Sequence, residues 1–297
     1  VEDWPLKLED LEWYYYKVEH EIGVSGQAGN INGVIDRRGN IFEGVRSRQY
    51  PMPPLRGTGF TEMMSDAGRR LGWNPFPGPA AINTQVYDDR APCLYHGFCD
   101  RGGCHVEAKN STAVSTIPKA QKTGNLGIVT EAHVTRIHVD KDGRASAVEY
   151  LKNGEIYLQP ADVVLLAGYT YENVRLLLLS DSDAYPNGLS NNHGQVGRHY
   201  MTHNTSAGVL ALFPHELNRW YGLPAQGIAA DEWADDNFDH TGLDFIGGGN
   251  LWVYSDRRPI AAANIHTFDM APRWGSDWKS FIMRNADRWV NSYLQKS

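Results

Sequence analysis

Two continuous apolar runs separated by a glycine predict a buried strand followed at once by a helix in ADVVLLAGYTYENVRLLLLS, residues 161–180. Val163 to Ala167 is a short, partly β-branched apolar run of the kind that forms buried strands. Gly168 interrupts the run, and Leu176 to Leu179 is an apolar block typical of a buried helix segment. In open α/β sheets a nucleotide usually binds where a strand ends and the next helix begins. The stretch therefore predicts either a nucleotide site or an ordinary strand–turn–helix, because a fold alone does not fix a function.

A change of period predicts a small antiparallel sheet just before this stretch. Apolar and polar side chains alternate, with one slip, between residues 128 and 139. Asp142-Gly143 and Asn153-Gly154 are strong hairpin signals. Three strands joined by these two turns form a β-meander, which we expect to lead into the strand at Val163.

Helical and alternating patterns elsewhere predict further elements. The expected helices span Leu8 to Ile22, Phe60 to Leu71, about Val114 to Gln121, and Ser276 to Leu294. The short strand candidates Gly208 to Phe213 and Asn250 to Tyr254 suit an antiparallel sheet. The proline-rich segments YPMPPL and WNPFPGPAAIN predict extended connectors, because proline disfavours helix at its own position and at the residue before it.

Composition narrows the function classes. The 297 residues are 41% hydrophobic and 21% charged, which is ordinary for a globular protein. The net charge of −7 and the lack of a long Lys/Arg run argue against a nucleic-acid-binding protein. The sequence contains no segment apolar enough to predict a transmembrane helix, and the acidic, aromatic N-terminal stretch does not resemble a signal peptide.

Three cysteines, Cys93, Cys99 and Cys104, fall close together in one loop. Scattered buried thiols are the ordinary pattern, so the clustering is informative. The spacing is not that of paired C-x-x-C zinc motifs, although His96 and His105 make a Cys3His site conceivable. The residues alone leave three interpretations open: a metal site, a disulfide, or free thiols in a structural loop.

Other candidate residues have ordinary structural explanations. His199 and His203 would share a face if GRHYMTH were helical, but no third ligand is near, so a structural role is expected. Asp235-Asp236 and Asp239 are expected in a solvated loop. Several tryptophans of the C-terminal part could stack on a sugar ring, although core packing is expected for most of them. These are Trp220, Trp233, Trp252, Trp274 and Trp278.

Three blocks of sequence carry a family resemblance. The first is WPLKLEDLEWYYYKVEHEIGVSG, and the second is CHVEAKNSTAVSTIPKAQKTGNLGIVTEAHVTRIHVDKDGRASAVEY. The third is the 161–180 stretch continued by YPNGLSNNHGQVGRHYMTH. In this order and at this spacing they closely resemble the glucose–methanol–choline (GMC) flavoprotein oxidoreductases. Within that family they are most similar to the bacterial sugar and gluconate dehydrogenase branch.

The resemblance implies an α/β fold with an α+β substrate domain. Residues 1–205 would be part of an FAD-binding domain with interleaved loops and the β-meander, and residues 206–297 part of a substrate domain built on an antiparallel sheet. The implied enzyme transfers a hydride from a hydroxyl of a polyol, sugar, sugar acid or glycoside to FAD. Its compartment is left open between the bacterial cytoplasm and periplasm.

The resemblance also implies cofactor-binding residues. Val134 would contact the adenine through its backbone, and Ala167 and Gly168 would lie against the flavin nucleotide, where a bulky side chain would clash. Asn173, followed by Val174, stands where many relatives have Ser/Thr-Pro. The nucleotide contact at the start of this helix is therefore expected to differ from that of the family.

For the cysteine loop the resemblance implies an iron–sulfur cluster at Cys93, Cys99 and Cys104, since some sugar dehydrogenases hold one at the corresponding place. Such a cluster would pass electrons from the flavin toward a cytochrome c or a small subunit. The spacing of these cysteines differs from that of the relatives, so the disulfide and the free thiols remain alternatives.

Two parts of the family pattern are missing from these residues. The sequence has no G-x-G-x-x-G fingerprint, and neither Gly102-Gly103 nor Gly247-Gly248-Gly249 has its spacing. No histidine matches the catalytic one of the family. The chain is therefore expected to be the middle of a GMC protein and to carry no catalytic residue. The alternatives are a non-catalytic GMC segment that acts as a structural or partner-binding subunit, and a sugar-binding module without flavin.

Overall fold

The structure is a computed structural model, and the chain divides into two compact units. One unit is Val1–Gly124 together with His203–Ser297, and the other is Asn125–Thr202. The described residues are 5–296 without 98, 100–101, 203, 206–208, 219–221, 235–236, 245–247 and 255–270. His203, Trp220 and Asp235-Asp236 thus lie outside the described residues. The predicted FAD-binding part (1–205) and substrate part (206–297) are defined by role rather than by compactness. This division stays a prediction.

The chain combines α-helices with antiparallel sheets, in the following order. The helices are α1 (Leu8–Ile22), α2 (Gly59–Arg70), α3 (Thr116–Lys122), α4 (Thr170–Leu179) and α5 (Gly275–Asn285), with a 3-10 turn at Pro224–Gln226. The first strands are β1 (Asn30–Ile31), β2 (Val34–Ile35), β3 (Phe76–Pro77), β4 (His133–Val139), β5 (Ala145–Lys152) and β6 (Glu155–Pro160). The remaining strands are β7 (Asn204–Thr205), β8 (Val209–Leu212), β9 (Ile228–Ala230), β10 (Gly249–Tyr254) and β11 (Trp289–Lys296).

The predicted helices α1, α2 and α3 are confirmed within two residues at each end. The ends of α2 have clear causes. Thr58 and Thr61 form a reciprocal capping box at its start, and Gly72, at a φ of +85°, follows the last residues of the helix. By contrast, α1 buries none of its residues, and Tyr15 and Val18 are 53% and 50% exposed. The helical spacing of α1 therefore does not mark a buried face.

The larger unit contains a six-stranded antiparallel sheet in the order β3-β9-β10-β11-β7, with β8 also paired to β11. Its core packs Phe60 of α2 against Leu217, Val253 and Val290. The expected antiparallel sheet is thereby confirmed. The segment predicted as a plain connector adds β3 at the sheet edge, where a proline is tolerated because its missing N–H faces away from the ladder.

The prediction of one helix from Ser276 to Leu294 is wrong in its second half. The helix α5 ends at Asn285, and β11 then pairs with β10 and β8. Trp289 and Val290 are only 2% and 4% exposed. Burial in the sheet, together with two ladders of backbone hydrogen bonds, outweighs the helical spacing of the segment.

The smaller unit is the predicted β-meander, β4-β5-β6, with α4 packed against β4. Both hairpin turns are confirmed, and Gly143 and Gly154 take φ values of +76° and +81° that suit glycine. The Ser180 hydroxyl links the end of α4 to the sheet, because it accepts a hydrogen bond from the Ile137 N–H at 2.9 Å and donates one to the Leu176 carbonyl at 2.6 Å.

The predicted strand at Val163–Ala167 is wrong. This segment has no regular structure, and Val163 and Leu165 are 82% and 88% exposed. The pairing of β6 with β5 continues only to Ala161, whose N–H donates to the Ser146 carbonyl at 3.0 Å. No strand in the described part of the chain pairs with residues 163–167, so the apolar run has no ladder in which to form.

No helix among the described residues has the length and apolarity needed to cross a bilayer.

Candidate functional site

A cleft of about 320 Å³ lies in the smaller unit, beside β4 and the start of α4. It brings together all four residues predicted to bind the nucleotide: Val134, Ala167, Gly168 and Asn173. They come from two segments more than thirty positions apart in the sequence, so the meander and the 163–173 segment must pack together to create the cleft.

Apolar side chains form most of the wall. They are contributed by Val134, Ile137, Val148, Val164, Leu166 and Leu176. β4 is an edge strand of its sheet, and a register shift follows Val134 where β4 pairs with β5. An edge strand has one side with no ladder partner, so its backbone can pair with a ligand instead. This arrangement suits a flat, uncharged ring with polar atoms at its edge.

The turn before α4 is held by Asn173. Its Oδ1 accepts a hydrogen bond from the Gly168 N–H at 2.8 Å, and its Nδ2 donates to the Leu166 carbonyl at 3.4 Å. The side chain that sequence reasoning assigned to the cofactor is thus engaged within the protein. A Cβ on Gly168 would lie 3.1 Å from Asn173 Oδ1, which is closer than an ordinary contact. Asn173 therefore shapes the cleft, and Gly168 leaves it open.

The residue between them, Tyr169, has an unusual backbone. Its φ of 76° and ψ of 163° lie in a region that essentially only glycine adopts. Sequence reasoning missed this residue, because a tyrosine gives no sign of such a conformation. Strain of this kind persists only where the surroundings impose it, and it is common at ligand sites.

The charged rim of the cleft was also missed. Arg175 donates from Nε to Glu172 Oε2 at 2.8 Å, and both side chains are partly exposed. The sequence did offer a signal for this ion pair, because Glu172 and Arg175 are three positions apart on a helix. Arg175 is the only lysine or arginine lining the cleft among the described residues, and it is already paired. The cleft therefore favours an uncharged group over a phosphate.

Comparison with known proteins gives the family. The chain is 30% identical over 295 residues to the gluconate 2-dehydrogenase flavoprotein of Pantoea cypripedii, covering 95% of this chain and 47% of that protein. It is 27% identical over 286 residues to the 2-methyl-1,2-propanediol dehydrogenase of Mycolicibacterium austroafricanum, covering 94% and 48%. It is 30% identical over 207 residues to the fructose dehydrogenase large subunit of Gluconobacter japonicus, covering 68% and 35%.

The curated relatives are GMC-type flavoprotein oxidoreductases. This chain belongs to the GMC family. The resemblance carried by the three sequence blocks is thereby confirmed. No protein-family model matches the chain. The chain spans about half the length of the first two relatives and less of the third.

The cysteine loop of this GMC chain shows three free thiols, all partly buried. Cys93 Sγ accepts a hydrogen bond from the Tyr95 N–H at 3.3 Å, and burial raises the pKa of the Cys93 thiol. The described residues include no group of three or more His, Cys, Asp or Glu arranged to hold a metal ion. The iron–sulfur cluster at Cys93, Cys99 and Cys104 therefore stays a prediction that this geometry does not support.

The other candidates are described only in part. His199 lies in a non-helical bend at a φ of +57°, so the condition for a helical face shared with His203 is not met at His199. Asp239 is exposed, as expected for a solvated loop. Trp233 packs edge-on against Trp73 with ring centroids 4.7 Å apart, but both side chains are only partly buried. Trp274 is 85% exposed, so the core packing expected for most of the tryptophans is wrong for this one.

Proposed function

We propose that this GMC chain supplies the adenine side of an FAD site in a dehydrogenase that oxidises a hydroxyl of a sugar, sugar acid, polyol or glycoside. The observation that carries the proposal is the convergence of Val134, Ala167, Gly168 and Asn173 on one cleft. Support for the substrate class comes from the relatives, which are named for gluconate, fructose and 2-methyl-1,2-propanediol.

The cleft residues fit an adenine ring. The apolar wall would cover its faces, and the backbone of Val134 would pair with its polar edge. Gly168 presents no side chain, and Asn173 keeps the Leu166–Gly168 turn in place. A bound FAD would supply the hydride acceptor of the reaction, while these residues bind and orient it.

We place the pyrophosphate-binding glycines and the base that takes the hydroxyl proton outside these 297 residues. The sequence contains no G-x-G-x-x-G, and the only cation at the cleft among the described residues is paired with Glu172. The electron acceptor we propose is a cytochrome c or a small subunit. The fructose-oxidising relative is itself named a large subunit, which implies at least one further subunit in that enzyme.

The deciding experiment is a visible absorption spectrum of the purified native protein, with the flavin identified after release by denaturation. Bound FAD is the expected result. A colourless protein that takes up no FAD on addition would overturn the proposal and favour the structural-subunit alternative. Iron and acid-labile sulfide are measured on the same sample, and their absence would end the cluster hypothesis for the three cysteines.

A further inference from the structure

A second cavity, of about 250 Å³, lies against α1 in the larger unit, and the site described above does not involve it. Its lining is acidic and aromatic. The residues that decide its chemistry are Glu12, Glu19, Glu43, Tyr15, Tyr16 and Arg46. So small a cavity brings together three carboxylates, one guanidinium and two phenol rings, and this combination requires an explanation.

The single cation of this lining is already neutralised. Arg46 donates to Glu19 through two guanidinium nitrogens, one of them at 3.1 Å from Glu19 Oε1. Both side chains are largely buried, with 15% and 18% exposure. The other two carboxylates of the lining, Glu12 and Glu43, have no ion pair of their own among the described residues, although Arg46 acts on both at a distance and Arg48 acts on Glu12.

Each of these two carboxylates uses only one of its oxygens. Glu12 Oε1 accepts hydrogen bonds from the Ser47 N–H at 2.7 Å and the Ser47 hydroxyl at 2.8 Å. Glu43 Oε1 accepts two backbone N–H groups, from Gly29 and Asn30. Among the described residues neither Oε2 atom has a hydrogen-bond partner, and neither is a fully buried atom. Both atoms can therefore reach a ligand.

Burial raises the pKa of Glu43, although its two backbone hydrogen bonds act in the opposite direction. The carboxylate thus pays a desolvation cost that a nearby positive charge would offset. Arg46, which is already paired with Glu19, also lowers the pKa of Glu43 but offsets only part of this cost.

This wall of the protein already binds two guanidinium groups of its own chain. Arg46 lies over the Tyr50 ring, 4.0 Å from its centroid, while it pairs with Glu19. Arg48 lies 4.8 Å from the centroid of the Tyr16 ring and donates to the Tyr16 hydroxyl at 2.8 Å. A ring combined with an oxygen acceptor is a recognised way to hold an organic cation.

We propose that the cavity binds an organic cation of the guanidinium or alkylammonium type, between the ring of Tyr15 and the carboxylates of Glu12 and Glu43. The cavity volume suits the head of one side chain better than a large ligand. The same chemistry is carried by an arginine or lysine of a partner polypeptide and by a free small cation. The test separates these two sources.

The experiment is calorimetric titration of the purified protein at low ionic strength with N-acetyl-arginine amide, with the uncharged N-acetyl-citrulline amide as matched ligand. One saturable site for the arginine compound, with binding at least about tenfold weaker for the citrulline compound, is expected. Tetramethylammonium is titrated in parallel. If tetramethylammonium binds as tightly as the arginine compound, the result identifies a free cation as the source. If it binds more weakly, the result identifies an arginine side chain.

Two variants locate the site. Glu12→Gln keeps an acceptor for Ser47 but removes the charge, and it should weaken arginine binding about tenfold. Glu21→Gln is the control, since Glu21 is an exposed acid of the same helix that does not line the cavity. Tyr15→Leu removes a ring without changing charge and should also weaken binding. Thermal unfolding confirms that each variant is folded. Equal binding of citrulline, or equal effects of Glu12→Gln and Glu21→Gln, would overturn the proposal.

Discussion

Asn173 and Gly168 are joined by a hydrogen bond from the Gly168 N–H to Asn173 Oδ1, 2.8 Å long, across the start of α4. The same side chain donates to the Leu166 carbonyl at 3.4 Å. One amide group therefore fixes both sides of the turn that borders the cleft. Asn173 thus holds the preceding loop from the first turn of the helix.

The first prediction concerns this side chain. Asn173→Ala removes both hydrogen bonds but leaves the wall of the cleft in place. The bonds are partly exposed, so we expect the free energy of unfolding to fall by only about 1 kcal/mol. The affinity for FAD should fall about tenfold, because the bordering turn is no longer held in one conformation. Flavin fluorescence titration of the apoprotein measures this affinity.

A matched control is available in the same unit. Asn191 accepts from the Val196 N–H at 3.1 Å and donates to the Asn187 carbonyl at 2.8 Å, but it does not line the cleft. Asn191→Ala should therefore lower stability to a similar degree while FAD affinity stays unchanged. If both variants lose FAD equally, Asn173 has no specific role at the cleft.

The second prediction concerns Gly168. A valine here would bring its Cβ to 3.1 Å from Asn173 Oδ1 and direct two methyl groups toward the cleft. Gly168→Val should abolish flavin retention and leave the fold largely intact, because the residue lies outside the core. Gly127→Ala is the control, since that glycine has open space around it. The ratio of flavin to protein absorbance after purification measures retention. A Gly168→Val protein as yellow as the parent would show that the turn does not border the nucleotide.

Some elements of this site could be predicted from the sequence and others could not, for physical reasons. Local signals such as Asp142-Gly143 and Asn153-Gly154 fix the hairpins, so the meander could be predicted. The structure of segment 163–167 could not be predicted, because an apolar run becomes a strand only when another strand pairs with it, and none of the described strands does so. The order of sequence blocks found the family, and through it the residues that converge on the cleft.

Contacts that depend on backbone geometry were beyond sequence reasoning. The hydrogen bond between Asn173 and Gly168 joins residues five positions apart, and no helical or strand period predicts it. The conformation of Tyr169 is likewise invisible in its residue type. At the C-terminal end, the buried Trp289 and Val290 show how a sheet overrides a helical pattern.

The third prediction concerns the strain at Tyr169. Its φ of 76° with ψ of 163° costs about 1–3 kcal/mol for a residue with a Cβ. Tyr169→Gly removes this cost but adds about 0.5–1 kcal/mol of backbone entropy in the unfolded chain. We therefore expect a net gain of about 1 kcal/mol, measured by urea unfolding. Tyr169→Ala keeps the Cβ and should show no gain. A glycine variant less stable than the alanine variant would contradict the strain.

The fourth prediction concerns the dependence of stability on pH at Asp231. Burial raises the pKa of this carboxyl above its ordinary value of 3.8, and the neighbouring charge of Glu232 raises it further. Because the folded protein holds this proton more tightly than the unfolded chain, stability falls as pH rises from 3.8 through the raised pKa. Asp231→Asn, which still accepts from Asn40, should therefore be more stable than the parent protein at pH 7.

This gain should shrink as the pH falls and vanish below 3.8, where the aspartate is protonated in both states. Urea unfolding at a series of pH values measures it. The pKa of Asp239 is shifted in the opposite direction, because hydrogen bonds from Thr241 lower the pKa of its exposed carboxyl. Asp239→Asn should gain nothing at pH 7. A stability difference for Asp231→Asn that does not change with pH would refute the role of its charge.

The fifth prediction concerns the thiols. The three cysteines are free, so three thiols per chain should react with DTNB in denaturant without reductant. In the folded protein Cys93 should be alkylated slowly near neutral pH, because burial raises its pKa above 9.0 and only the thiolate reacts. Mass spectrometry of the alkylated peptide gives its rate against pH, with the same cysteine in the denatured chain as control. A single reactive thiol in denaturant would instead reveal a disulfide, and a half-maximal rate below pH 9.0 for folded Cys93 would contradict the effect of burial.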